Sequence, residues 1–366
     1  MRRRMVLAGL AALPFAAPRP ALAASTRSFC MGTTRWPHDL TLRALGQVEL
    51  FLRDRADMAA PMVLGGVPWD AAADGTDFSA ALMRDLSWAA APGHPKLLSL
   101  GALDTMRQGM ALNFAVADNQ PLPARWQGRA FDDPEVIAAY TAFCLRAAEI
   151  ARPDWLAIGV EVNLLLHFAP DLWPGYTRLH RAVYEAVKDR FPETGVCFTI
   201  ATQHYMGRTD GADAALQRAE MAALMTHSDL AAFSIYPHLQ DDAPDPIPDG
   251  FYDPLNDLAA RTGRPAAISE SGTSSAPIRW GLFGRIPGSP EWQAQATEAL
   301  FRFADEGRHR FVVNFTSHDY GPFLAHIPEA DRPLASLWEH CGILDAQGGD
   351  KAVTRVWNDW LTRPTA

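Results

Sequence analysis

Two apolar segments of the chain each end in a glutamate: Glu161 follows the apolar residues 155–160, and Glu270 follows residues 265–269. Apolar surroundings raise the pKa of a carboxyl group, and hydrogen bonds to the ionised form lower it. Cleavage of a glycosidic bond with retention needs one protonated carboxyl group at the leaving oxygen and one carboxylate that attacks the sugar. For one such glutamate alone, an internal ion pair with arginine is an equal alternative. The presence of two favours a catalytic pair.

The elements that would position this pair alternate along the chain. Apolar runs that would be buried on both faces predict parallel strands, and helical patterns lie between them. The predicted strands are residues 29–33, 61–65, 96–100, 155–162, 195–201, 230–236, 265–270 and 310–315. The predicted helices are residues 40–55, 78–91, 134–151, 173–191, 212–226, 253–262, 291–306 and 353–361.

Eight alternating pairs predict an α/β fold, a (β/α)8 TIM barrel formed as a single domain by residues 24–366. An open, doubly wound sheet would also alternate, but no G-x-G-x-x-G motif or P-loop follows the first strand. Barrel enzymes carry their chemistry at the carboxyl ends of the strands. Glu161 on strand four and Glu270 on strand seven are therefore expected across one barrel mouth.

Other polar and aromatic side chains follow the predicted strands and are expected at the same rim. Aromatic planes cover the apolar faces of sugars, while polar groups bond their hydroxyls. A structural role is an equal alternative for each histidine. The predicted substrate-binding residues from these loops are Trp36, Trp69, Asp70, His204, Tyr205, His238 and His318.

Composition narrows the possible partners. The 366 residues carry a net charge of −9, with 48% hydrophobic and 20% charged residues. Nucleic-acid binding is not expected, because it needs clustered lysine and arginine. A carbohydrate substrate suits an acidic surface that carries aromatic residues. No cofactor and no metal are expected, and the sequence leaves the oligomeric state open.

The N-terminus has the pattern of an export signal. Three arginines, Arg2 to Arg4, precede an apolar stretch at residues 6–17 and a small-x-small site at residues 21–23. This order predicts a signal peptide over residues 1–23, by the general secretory or the twin-arginine route. The apolar run is too short to span a bilayer, so we expect a periplasmic or extracellular protein without a membrane span.

Three motifs, which begin at predicted strand four, resemble those of arabinogalactan endo-β-1,4-galactanases, a family of two-glutamate retaining (β/α)8-barrel glycoside hydrolases. They are IGVEVN at residues 158–163, SIYPH at 234–238 and ISESG at 268–272. A segment GILD at 342–345, followed by Trp357, is similar to the closing segment of many such barrels. The resemblance implies Glu161 as acid/base, Glu270 as nucleophile and Tyr236 as the hydrogen-bond partner of the nucleophile.

The sequence departs from these motifs in two places. The two-glutamate retaining barrels have an asparagine directly before the acid/base, where it holds the sugar 2-hydroxyl. In this sequence the residue at that position is Val160. Asn163 is expected on the same side of the strand as Glu161 and is the candidate substitute. Residues 314–319 lack the aromatic platform that is usual at strand eight, for which Trp338 and Tyr320 are the candidate replacements.

Three functions are compatible with these observations. The first is a retaining glycoside hydrolase that cleaves a β-linked polysaccharide or oligosaccharide. The second, suggested by Val160, is a non-hydrolytic glycan-binding protein on a decayed glycosidase barrel. The third is a metal-dependent barrel hydrolase that uses His204, His238 and His318, although no metal-binding spacing such as H-E-x-x-H supports it.

Overall fold

The computed structural model describes residues 26–281 and 284–366, so the predicted signal peptide lies outside the described residues. Within that part, parallel strands alternate with helices as predicted. The strands are β1 Cys30–Thr34, β2 Met58–Ala60, β3 Met62–Val63, β4 Leu97–Leu100, β5 Trp155–Ala157, β6 Gly195–Cys197, β7 Thr199–Ala201, β8 Ala231–Ile235, β9 Ala266–Ser271, β10 Ile278–Trp280, β11 Gly284–Ile286 and β12 Phe311–Asn314.

The strands form two parallel sheets whose orders are β2-β1-β12-β9-β8-β7 and β3-β4-β5-β6. The segments β2 and β3 are one barrel strand interrupted at Pro61, and β6 and β7 are another interrupted at Phe198. Pro61 still accepts a hydrogen bond from Ser99 of β4, at 3.1 Å. The neighbours therefore follow the order of an eight-stranded barrel. The hairpin β10–β11 is antiparallel and stands apart from it.

The helices are α1 Leu42–Asp54, α2 Trp69–Ala73, α3 Ala80–Leu86, α4 Pro134–Ala151, α5 Asn163–Phe168, α6 Trp173–Arg190, α7 Thr202–Tyr205, α8 Ala214–Leu224, α9 Asp253–Thr262, α10 Pro290–Glu306, α11 Gly321–Leu324, α12 Arg332–Ala335 and α13 Ala352–Leu361. Short 3-10 turns occupy Ala124–Trp126, Pro170–Leu172, Met225–His227, Pro237–Leu239 and Ser336–Trp338. In the described part of the chain, no helix has the length and apolar character needed to cross a bilayer.

Local sequence explains the helices that were predicted most closely. Asp133 accepts a hydrogen bond from the Glu135 backbone N–H at 2.8 Å, so α4 begins with a side-chain cap and a proline in its first turn. The helix α9 has a proline in its first turn and ends at Gly263, whose φ of 65° suits glycine. Both helices have the predicted bounds.

Two hydrophobic layers surround the strands. One cluster is built almost wholly from strand residues, among them Ala157, Cys197, Ala232 and Ala267, and fills the barrel interior. The second, larger cluster joins the outward strand side chains, such as Ala266 and Ile268, to the helices. Burial of both layers provides the main favourable term for folding.

The prediction for strand four was wrong at its carboxyl end. The strand β5 stops at Ala157 instead of continuing to Val162, and residues 158–162 form an irregular segment that leads into α5. Glu161 has a φ of 52°, in the left-handed region that side chains other than glycine rarely adopt. Glu161 is therefore presented by a strained turn and not by a regular strand.

Candidate active site

The turn that carries Glu161 is held by Thr199 at the start of β7. The Glu161 backbone N–H donates to Thr199 Oγ1 at 2.8 Å, and the Val162 N–H donates to the Thr199 carbonyl at 3.1 Å. The Thr199 N–H in turn donates to the Gly159 carbonyl at 2.9 Å. A left-handed residue costs about 1–3 kcal/mol and persists only where its surroundings impose it. These three bonds impose it here.

A bulge in β9 aims Glu270. Phe233 of β8 pairs with Ile268, but the next residue, Ser234, pairs with Glu270, so that Ser269 is an extra residue. Strict alternation would send Glu270 to the same side as Ile268, which faces the helices. The bulge shifts the side-chain pattern by one position, and Glu270 consequently reaches the barrel mouth. Ser269 is anchored by its hydroxyl, which donates to the Phe233 carbonyl at 3.1 Å.

The two glutamates interact electrostatically. Burial raises the pKa of Glu161, and burial together with the charge of Glu161 raises the pKa of Glu270. The Tyr236 hydroxyl donates a hydrogen bond to Glu270 Oε1 and lowers the pKa of that carboxyl group. The charge of Arg107 opposes burial at both glutamates. Two such carboxyl groups share a proton readily, because both cannot ionise without repulsion.

Arg107 was not predicted. Its Nη2 lies 3.6 Å from Glu161 Oε2, and the two side chains are 13% and 14% exposed. Arg107 comes from the connection between β4 and α4, far from both glutamates in sequence. The available signal was that this long connection follows a strand and so reaches the rim. A search of the rim loops for cations would have included it.

Aromatic residues line the same region around Tyr236. Trp338 lies 5.8 Å from the Tyr236 ring and 6.4 Å from the Phe315 ring, between centroids. Trp36 contacts Phe315 at 5.6 Å. Phe315, directly after β12, therefore belongs to an aromatic cluster with Tyr236 and Tyr320, and Trp36 and Trp338 pack against it. The indole N–H groups of Trp36 and Trp338 are buried and have no hydrogen-bond partner within residues 26–281 and 284–366.

Asn163 does not take the place of the missing asparagine. It is fully buried, and its Nδ2 donates to the Ala201 carbonyl at 3.0 Å and to Gln217 Oε1 at 2.8 Å. Its Oδ1 accepts from the Ala201 N–H at 2.8 Å. The prediction was wrong because it assumed a continuous strand, whereas the chain has already turned into α5. Val160 is buried as well, with 4% exposure.

Trp69 and Asp70 are engaged in contacts within the protein. The Trp69 side chain is fully buried, donates to the Ala111 carbonyl at 3.0 Å and packs on Trp126 at 5.5 Å. Asp70 accepts a hydrogen bond from Trp126 Nε1 at 2.7 Å. Both residues hold the helix α2 against the connection that contains Arg107. The prediction that Trp69 stacks on a sugar was wrong, because its ring is fully buried by these contacts.

The remaining predicted residues lie in separate contacts. His204 packs on His167 with ring centroids 4.7 Å apart, and His318 stacks on His38 at 4.8 Å. His238 Nε2 is 2.9 Å from the Leu337 carbonyl and so anchors the segment that carries Trp338. Burial lowers the pKa of each of these three histidines, His204, His238 and His318, to about 4. In the described ranges, no three potential metal ligands of the His, Cys, Asp or Glu type converge.

Tyr205 lies on the flank of the barrel. It is fully buried and lines a groove of about 480 Å³ beside Arg218 of α8 and Arg261 of α9. It shares no direct contact with either glutamate, so the structure does not bring it to the predicted rim. Of the predicted side chains, the structure brings Glu161, Glu270 and Tyr236 together, with Trp36 in the adjacent aromatic cluster.

The comparisons with known proteins support the same architecture. No protein-family model and no curated protein matches the sequence. The structure is similar to exo-β-1,4-mannosidase Op5Man5 from Opitutaceae bacterium strain TAV5, with a TM-score of 0.61 and 16% identity over 94% of this chain. This chain spans 61% of the length of that protein.

Two further similar structures match most of both chains. The GH53 catalytic domain of Ignisphaera aggregans has a TM-score of 0.56 and 16% identity over 90% of this chain and 91% of its own. A fungal β-1,4-galactanase has a TM-score of 0.60 and 15% identity over 91% of this chain and 99% of its own. At these identities the likeness shows the fold. The chain has the α/β, (β/α)8-barrel fold that was predicted.

Proposed function

We propose that the protein is a retaining glycoside hydrolase that cleaves a β-linked oligosaccharide or polysaccharide. The observation that carries the proposal is the pair of interacting, buried glutamates, with the Tyr236 hydroxyl donating to Glu270. That hydrogen bond favours the ionised form of Glu270, which a nucleophile needs, and so opposes the burial that raises the pKa of this carboxyl group. Glu161 then takes the role of acid/base. The structural relatives named as β-1,4-mannosidase and β-1,4-galactanase act on β-linked sugars, which supports the substrate class.

In the proposed first step, Glu161 gives its proton to the glycosidic oxygen while a Glu270 oxygen bonds to the anomeric carbon and the bond to the leaving group breaks. In the second step, a water molecule gives a proton to Glu161 and attacks the anomeric carbon, and the ester bond to Glu270 breaks. The buried indole N–H groups of Trp36 and Trp338 are donors that suit sugar hydroxyls, and their rings suit apolar sugar faces.

The test is hydrolysis of a panel of aryl β-glycosides and β-linked polysaccharides, with the product anomer followed by NMR. We expect retention, and we expect Glu270→Gln and Glu161→Gln each to reduce kcat by at least 10³-fold, in line with the loss of an essential group. Glu329→Gln is the matched control, because Glu329 is exposed on the surface. Inversion at the anomeric centre, or full activity of Glu270→Gln, would rule the mechanism out.

A second candidate is glycan binding without hydrolysis. Two observations favour it: Val160 stands at the usual asparagine position, and the amide of Asn163 is used internally. Calorimetric binding of oligosaccharides without product release, equal in wild type and Glu270→Gln, would support this candidate. Turnover that depends on Glu270 would exclude it.

We further propose that the protein is exported, on the basis of the signal-like residues 1–23. Expression of the full chain in a bacterial host, followed by fractionation and N-terminal sequencing, tests this. A periplasmic or secreted product that begins near Ala24 is expected. Retention of residue 2 on a cytoplasmic product would contradict it.

A further inference from the structure

The connection between β4 and α4 carries a short, well-fixed hairpin at residues 103–110. Leu103 and Met110 form an antiparallel bridge, and the Asp104 N–H donates to the Gly109 carbonyl at 3.0 Å. The Asp104 side chain accepts a hydrogen bond from the Gln108 N–H at 2.8 Å. The tip residue, Arg107, has a φ of 56°, again in the left-handed region. The hairpin thus presents one arginine in a defined position.

The guanidinium of Arg107 is divided between its own hairpin and the candidate active site. Nη1 donates to the Asp104 carbonyl at 2.9 Å, and Nη2 lies 3.6 Å from Glu161 Oε2. Nε is buried and has no hydrogen-bond partner in the described part of the chain. The edge formed by Nε and Nη2 is the one that binds a carboxylate through two parallel hydrogen bonds. This edge consequently has capacity left for the Glu161 carboxyl group.

The positive charge of Arg107 favours the ionised forms of Glu161 and Glu270. Besides Arg107, the titratable groups that interact electrostatically with Glu161 in the described part of the chain are Glu270 and the Tyr236 hydroxyl. Both are neutral or negative, so Arg107 supplies the positive charge there. Burial of a carboxylate beside another carboxylate is strongly unfavourable unless an opposite charge is near. The proposed cycle requires Glu161 to be ionised while the glycosyl-enzyme awaits water.

We propose that Arg107 is a positioning residue for Glu161: its guanidinium orients the Glu161 carboxyl group and stabilises the negative charge left when Glu161 has protonated the leaving group. The inference rests on the proposed function. The proton moves from Glu161 to the glycosidic oxygen as that oxygen leaves, and it is replaced from water when the ester to Glu270 is cleaved. Arg107 keeps its own protons throughout.

The first test measures the contact without any substrate. Protein labelled with ¹³C at the glutamate carboxyl groups is titrated by NMR, with Glu161 and Glu270 assigned from Glu161→Gln and Glu270→Gln. Arg107→Met should raise the midpoint of Glu161 by about one pH unit or more, as expected for loss of a neighbouring opposite charge. Arg107→Lys should recover part of the shift. Arg190→Met, at an exposed ion pair with Glu149, is the control and should change neither midpoint.

The second test measures the catalytic consequence. With an aryl β-glycoside that the wild type hydrolyses, Arg107→Met should move the alkaline limb of kcat/KM upward by the same interval and reduce kcat at least tenfold. A residue that only supported the loop would leave the pH profile in place. An unchanged Glu161 midpoint in Arg107→Met overturns the inference. A shifted midpoint in a protein that hydrolyses no glycoside supports the ion pair, and the catalytic role then falls with the proposed function.

Discussion

Thr199 Oγ1 accepts a hydrogen bond from the backbone N–H of Glu161 at 2.8 Å. Thr199 belongs to β7, which is part of the fifth strand of the barrel, and Glu161 follows β5, the fourth strand. The bond joins two neighbouring strands just where β5 has ended. Glu161 is in the left-handed region, so the direction of its side chain depends on this hydrogen bond. In a regular strand, the backbone conformation alone would set that direction.

We expect Thr199→Val to reduce kcat about tenfold or more, because loss of a hydrogen bond to a strained turn, at about 1–1.5 kcal/mol, lets the acid/base move. KM should change little. Thr199→Ser keeps the hydroxyl and is the matched control, which should retain most of the activity. Steady-state kinetics on one aryl β-glycoside decide the matter, and an unaltered kcat in Thr199→Val would show that the bond does not position Glu161.

The raised pKa of Glu270 implies a pH-dependent cost in stability. A carboxyl group whose folded pKa is raised above its ordinary value of 4.5 favours folding when protonated and loses that contribution as the pH rises through the folded pKa. Glu270→Gln is always neutral, so it should melt at a higher temperature than wild type at pH 8, by a few degrees. The difference should shrink towards pH 4.

Thermal melts at pH 4, 6 and 8 measure this prediction. The exposed Glu329→Gln provides the control and should show the wild-type dependence on pH. A Glu270→Gln protein that is less stable than wild type at pH 8 would mean that the ionised carboxylate is well compensated in the folded state.

Tyr236→Phe removes the hydrogen bond that opposes the burial of Glu270. Without it the pKa of Glu270 rises further, so the acidic limb of kcat/KM should move to higher pH. We expect kcat to fall by about 10-fold to 100-fold, as for loss of a hydrogen bond to a charged group. Tyr320→Phe is the control from the same aromatic cluster, because its hydroxyl donates to the Ala335 carbonyl instead. A Tyr236→Phe profile that coincides with the wild type would contradict the assignment of Glu270.

Gly159 belongs to the turn that carries Glu161, and a methyl group there would collide with the hydroxyl of Tyr176. Gly159→Ala should therefore destabilise the protein by about 1–3 kcal/mol, the usual cost of overpacking. The double variant with Tyr176→Phe should recover part of that loss. Gly46→Ala in α1 is the matched control, since nothing lies within 4 Å of the added methyl and alanine is the better helix former. Denaturant unfolding of the four proteins measures all three free-energy differences.

The fold could be predicted because the local signals agree with one another. Asp133 and Pro134 define the start of α4, and apolar runs that are buried on both faces suit the strands of a parallel sheet covered by helices. The ends of strands were harder. Residues 158–162 include Ile158, Val160 and Val162, which favour a strand, and their turn is held by hydrogen bonds with Thr199, a residue distant in sequence.

The site was predictable for residues that the motifs name and not for those that depend on packing. A period of two places Asn163 beside Glu161, but the end of β5 cancels the period. Glu270 was predicted at the barrel mouth as the last residue of an apolar strand. It points there only because the bulge at Ser269 shifts the alternation of side chains by one position. Trp69 has the composition of a sugar platform, yet the contacts with Trp126 and the Ala111 carbonyl bury it. The position of Arg107 was not predictable, because it depends entirely on the path of the loop between β4 and α4.

Arg107 lies on a hairpin, whereas Glu161 follows the barrel strand β5 and Glu270 lies in β9, so the parts of the candidate site depend on different elements of the fold. The hairpin 103–110 is closed by its own hydrogen bonds. A change in its length or in its tip residue therefore leaves the register of the barrel strands intact. Substitutions within these eight loop residues would therefore change the pKa values of Glu161 and Glu270 without disturbing the barrel strands.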